Sequence, residues 1–166
     1  MEAPEVECRE YPLGFVIAQN LFLLLYFGMG FVGMLSLRLS GVPVFSVAYA
    51  VFLGLMLLVV LRKHLCTHCC YYGKRCATGW GKLSALMFER GSGSYELGVK
   101  LAKITWALAT AVPVLGISAA YFLTPSRHIL ALLLLFLLLT PINFALHRSA
   151  CEKCGMRRKC PMTMAR

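Results

Sequence analysis

The chain has no aspartate, and its seven glutamates face seventeen lysines and arginines in 166 residues. Charged residues make up only 14 % of it, against about a quarter in a soluble domain. Long stretches hold no charge at all: Tyr11–Leu37, Leu39–Leu61, Ile104–Ser126 and His128–His147 lack Lys, Arg, Asp and Glu. Without a carboxylate in any of these runs, a proton- or cation-coupled transporter relay is disfavoured. There is also no P-loop, no Ser/His/Asp set and no carboxylate pair, so no hydrolase or transferase constellation is legible. The cationic surplus lacks a dense enough cluster for nucleic acid, since "RRK" in the tail is its longest basic stretch.

What is abundant is apolar. The hydrophobic fraction is 59 % and the mean hydropathy +0.72. Crossing about 30 Å of hydrocarbon takes roughly 20 helical residues, and each charge-free run is long enough. Backbone polar groups in lipid must be satisfied within the segment, which favours helices. The expectation is a single polytopic all-α membrane domain over residues 1–166, with helices near 13–37, 41–62, 102–124 and 128–147. The residues before the first run are acidic, and no small-x-small site follows it, so a retained helix is expected rather than a signal peptide.

Four spans put the N-terminus, the long middle loop and the C-terminal tail on one side. Only Arg38 and Arg127 fall in the two turns on the other side; the remaining fifteen cations lie with the termini. The positive-inside rule then predicts cytoplasmic termini in a cell-membrane protein. All eight cysteines (Cys8, Cys66, Cys69, Cys70, Cys76, Cys151, Cys154, Cys160) share that side. In a reducing compartment, clustered cysteines point to metal ligation or redox chemistry rather than to structural disulfides.

Two segments carry the pattern: "CTHCCYYGKRC" from Cys66 and "CEKCGMRRKC" from Cys151. Each reads C-x2-C, then a third cysteine six or seven residues on, and each follows an even-numbered span through a short basic joint. This suggests a parallel two-fold repeat of helix, helix and cysteine hook, with hooks at 64–76 and 147–160. C-x2-C lets two thiolates converge on one ion. The candidate ligands are Cys66, Cys69, Cys76, Cys151, Cys154 and Cys160, with His64, His68, His147 and Cys70 as further candidates. Either one shared four-cysteine site forms, or each hook closes its own with a histidine. Zinc clamping the ends of helices 2 and 4 in a scaffold or accessory role is the first expectation. The alternative is an iron–sulfur or thiol-based electron-transfer subunit, with a membrane acceptor such as a quinone. Cys160-Pro161 is similar to the closing Cys-Pro of ferredoxin-type runs, but the C-x2-C-x2-C core is missing. Soft-metal sensing or handling is a weaker third. Cys70 breaks the symmetry, as Gly155 stands in its place, and simple packing is the slightly favoured role for it.

Other features have plainer readings. "GMGFVG" matches a dinucleotide fingerprint but lies inside an apolar span with no strand before it, so close helix packing explains it better. The amides Gln19, Asn20 and Asn143 are expected to act as interhelical glue. Bis-histidine haem is disfavoured because His64 and His147 sit at helix ends. An interfacial helix is expected near 79–90, and the basic tail suits anionic lipid headgroups. A lipid bilayer is the expected environment, with a protein partner in the membrane or cytoplasm as a further expectation.

Overall fold

The computed structural model describes residues 8–157, 160 and 163. Arg158 and Lys159 of the second hook, Pro161, and the basic tail apart from Thr163 lie outside the described residues, as does the acidic start of the chain. Five helices make up the fold: α1 (Leu13–Gly33), α2 (Val44–His68), α3 (Trp80–Met87), α4 (Tyr95–Leu123) and α5 (Arg127–Glu152). All but α3 are long and apolar enough to cross a membrane. Within α2, Met56–Val60 widens into a π-helical turn, and Cys66–His68 tightens into a 3-10 turn.

The helix ends differ from the charge-free runs for local reasons. α1 stops at Gly33, and the chain reverses through a two-residue turn. Leu39 and Val42 exchange backbone hydrogen bonds of 2.9 and 3.1 Å around Ser40 (φ 51°) and Gly41 (φ 84°). Both central residues have positive φ, as the tight hairpin turn requires. α4 begins at Tyr95, ahead of its apolar run, because the Ser94 hydroxyl caps it by accepting from the Leu97 amide. α5 continues past His147 to Glu152, so Cys151 belongs to its last turn. α3 is shorter than the interfacial helix expected at 79–90.

α1 and α4 pack on each other, and each also packs on both α2 and α5. The close crossing of α1 and α4 depends on missing side chains. A Cβ at Gly30 would lie 2.9 Å from Pro113 Cγ, and one at Gly33 would lie 2.6 Å from Ile117 Cδ1. Two glycines of "GMGFVG" thus serve helix packing, while Gly28 faces open space. Pro113 has no N–H, so the Ala109 carbonyl one turn earlier loses its helical donor. The Tyr49 hydroxyl on α2 donates to that carbonyl at 2.9 Å. Tyr26, fully buried, stacks on Phe136 with ring centres 4.6 Å apart and sets its hydroxyl 3.1 Å from that of Thr140. The outward faces carry large apolar side chains such as Leu21, Leu24, Leu115, Phe122 and Leu138. Such a belt suits lipid rather than water.

Candidate functional site

The first hook is a folded platform. Cys69 N–H donates to Cys66 C=O at 3.2 Å, and Tyr72 N–H donates to Cys69 C=O at 3.0 Å. Thr67, buried inside it, donates its hydroxyl to the carbonyls of Lys63 and Ser92. The Tyr72 hydroxyl donates to Phe88 C=O, and Ser84 on α3 donates to Arg62 C=O. Gly79 has φ 73°, a left-handed turn open to glycine, and it starts α3 so that Trp80 faces the thiols. At Gly81 a side chain would collide with the Tyr71 and Lys74 carbonyls, so α3 lies directly on the hook.

The second hook repeats the same turn. Cys154 N–H donates to Cys151 C=O at 3.1 Å, and Arg157 N–H donates to Cys154 C=O at 3.1 Å. Two tyrosines tie it to the rest. The Tyr11 hydroxyl donates to Ala150 C=O at 2.9 Å, and Gly155 N–H donates to the Tyr71 hydroxyl at 3.3 Å. The segment before α1 lies against the first hook: Tyr11 N–H donates to Arg75 C=O, and Glu10 pairs with Arg75 at 2.8 Å. The Arg75 backbone N–H, with the guanidinium behind it, holds the Glu10 carboxyl below its ordinary range.

Between these parts lies a cavity of about 260 Å³. Cys66, Cys69 and Cys76 line it from the first hook, and Cys151, Cys154 and Cys160 from the second. All six are half-buried. His147 joins them; His64 and His68 do not line the cavity. His64 Nδ1 instead accepts from Ser94 N–H at 2.9 Å, and His68 rests beside the Tyr95 ring. Cys70 is bridged to Cys8 by a disulfide and packs in the cluster around Tyr11, Val16 and Tyr71; while bridged, neither sulfur is a free thiolate ligand. Among the described residues, no three His, Cys, Asp or Glu side chains stand close enough to hold a single metal ion. The six thiols therefore surround a space rather than a point.

Electrostatics follow from burial. Desolvation pushes the Cys69 thiol up to about 11, with neighbouring thiols Cys154, Cys76 and Cys160 adding to the rise. Burial likewise raises Cys154 and the hydroxyls of Tyr71 and Tyr11. Without a ligand, burial thus keeps the Cys69 and Cys154 thiols neutral at pH 7. Beside them Arg62 is 1 % exposed. Its guanidinium lies 4.8 Å from the centre of the Trp80 ring, and Nη1 donates to Trp80 C=O at 3.3 Å. Its Nε is buried with no hydrogen-bond acceptor, and no carboxylate among the described residues pairs with it. Cys66, one helical turn on, and Cys76 are the thiols that act on it electrostatically. A buried cation in this state calls for a counter-charge.

Arg62 was not legible as a site residue from composition or motif. The signal was its place one helical turn before Cys66, as His147 stands one turn before Cys151. Of the three amides expected as glue, Asn20 does bridge elements, donating to Val16 C=O and Thr78 C=O. Gln19 and Asn143 instead line the cavity. Comparison with family models, curated proteins and solved structures gives no match.

Proposed function

We propose that this is an integral membrane electron-transfer protein whose two hooks jointly hold one polynuclear, thiolate-bound centre of the iron–sulfur type. The carrying observation is that six cysteines from both hooks line a single cavity while no three of them converge on a point. A lone zinc ion with bonds of about 2.3 Å needs sulfurs about 3.8 Å apart. A cubane four-iron cluster binds each of its four cysteines to a different iron, so its ligands stand further apart around a filled volume. Reduced clusters with four thiolates are anionic. The buried, carboxylate-free guanidinium of Arg62 supplies the compensating charge.

The shared backbone pattern of the two hooks supports the reading of a parallel repeat. So does the packing, in which α1 and α4 lie between α2 and α5. Under an offset of 85 residues, Cys66 matches Cys151, Cys69 matches Cys154, and Arg62 matches His147. The excess of cations on this face supports a cytoplasmic position for it, where a soluble reduced electron-carrier protein would donate one electron at a time. The acceptor would lie in the membrane.

A thiol-based variant of this function has its own support: the Cys8–Cys70 disulfide packs in one cluster with Cys69, Cys76 and Cys154, three of the cavity's cysteines. In a reducing compartment that pair would open and close with the local redox state. A zinc clamp is the third outcome, and would require the hooks to contract onto one ion. The test is to substitute Cys69→Ser and Cys154→Ser separately in protein purified without oxygen. One shared centre means that either change removes the whole visible chromophore. Half the chromophore surviving in each would mean two independent sites.

A further inference from the structure

Besides the thiols, the cavity is lined by helix residues, among them Trp80 and Trp106, the only two tryptophans in the chain. Two amides line it, Gln19 from α1 and Asn143 from α5, at 9 % and 4 % exposure. Neither side-chain amide has a hydrogen-bond partner among the described residues. His147 stands one turn beyond Asn143 on the same face of α5, its ring 5.9 Å from that of Trp106. Trp106 also borders a largely apolar groove between α4 and α5, lined by Lys103, Ala107, Thr110, Val114 and Phe144.

We infer that the cavity beside Gln19, Asn143 and Trp106 binds the ring of a lipophilic quinone, with its tail in the α4–α5 groove that Trp106 also lines. Each feature narrows the ligand. Buried amides without partners call for a group that accepts and donates hydrogen bonds. Gln19, Asn143 and the apolar walls carry no charge, so a neutral carbonyl fits better than a phosphate or carboxylate. Two aromatic walls suit a flat ring. A bare acyl chain would fill the groove but leave both amides dry. A soluble metabolite would have no use for the groove. The physiological purpose of such a ligand, as the membrane acceptor, rests on the electron-transfer reading above; its binding rests on the amides, the tryptophans and the groove.

Because both tryptophans touch the site, intrinsic fluorescence reports on occupancy. The experiment titrates decylubiquinone into the full chain in dodecylmaltoside micelles, with tryptophan octyl ester in the same micelles as the measure of mere partitioning. Saturable quenching beyond that of the ester is expected. Gln19→Leu and Asn143→Leu, checked for fold by circular dichroism and gel filtration, should each raise the half-saturation concentration tenfold or more. A ligand-side arm needs no variant: excess decylbenzene, with the same tail and a ring without carbonyls, should not displace the quinone. Quenching no greater than that of the ester overturns the proposal. Displacement by decylbenzene, or half-saturation unchanged in both folded variants, does so too. The titration needs no metal. Colourless protein that binds the quinone would defeat the iron–sulfur reading alone, and brown protein that does not bind it would defeat this one alone.

Discussion

The two hooks make the same backbone turn but are held very differently. The first is braced on every side: Thr67, Tyr72 and Ser84 each donate a side-chain hydrogen bond that ties it to α3 or the segment before α4. The second hangs from the end of α5 by Tyr11 and Tyr71. Both turns bring three cysteines to one cavity. Under the proposed centre, the braced first hook would change little on loading, and the second would gain order from the ligand.

The largest expected effect follows from the shared centre. Cys69→Ser or Cys154→Ser should each abolish iron retention almost completely, measured as iron per chain after gel filtration. A variant in the weak hook that keeps its iron would break the comparison. Next, stripping the centre should loosen the two hooks unequally. A ligand present at a hundred times its Kd stabilises what it orders by about 2.7 kcal/mol. Amide exchange over residues 151–157 should therefore accelerate about a hundredfold on removal of the centre, with much less change over residues 66–72. Equal acceleration in both would mean that the bracing of the first hook does not matter.

Arg62 sharpens the contrast between loaded and empty states. Charged hydrogen bonds contribute about 1.5–3 kcal/mol, so Arg62→Met should weaken retention of the centre by about tenfold to a hundredfold. The empty protein should change by less than about 1 kcal/mol, because there the guanidinium is buried without a counter-charge. Chelator competition and thermal unfolding read the two effects separately. A large loss of stability in the empty variant would make Arg62 a packing residue.

Loading should also depend on pH. Burial holds the Cys69 thiol up near 11 and raises Cys154, so binding must expel protons. Affinity should fall as pH is lowered and rise as pH approaches the raised thiol range. A pH-independent affinity would mean that the ligand binds neutral groups. The smallest effect belongs to the apolar bundle, as a control. Tyr49→Phe leaves the Ala109 carbonyl without its donor and should cost about 0.6 kcal/mol, with no effect on the centre. A loss of iron in this variant would show that the bundle and the hooks are coupled.

Much of this was legible in the sequence, and the limits have physical causes. Four charge-free runs read as spans because lipid leaves few alternatives. The paired C-x2-C motifs marked the hooks because the turn is local. Their meeting was expected from topology, but the roles of neighbouring residues depended on tertiary contacts no spacing encodes. His64 stands two residues before Cys66, yet Ser94 claims its ring nitrogen. Cys70 sits beside a ligand candidate, yet its sulfur turns to Cys8, sixty-two residues away. Gln19 and Asn20 are adjacent, but a helix sends neighbouring side chains about 100° apart. One amide reaches the Thr78 carbonyl and the other faces the cavity.

The most direct test is elemental analysis of the full chain purified in detergent without oxygen, together with its visible spectrum before and after reduction. Iron with acid-labile sulfide, and a brown absorption that bleaches on reduction, is the expected result. Colourless protein carrying zinc would contradict the electron-transfer centre and favour a clamp. Protein with neither metal would leave six thiols around an unfilled cavity and contradict both.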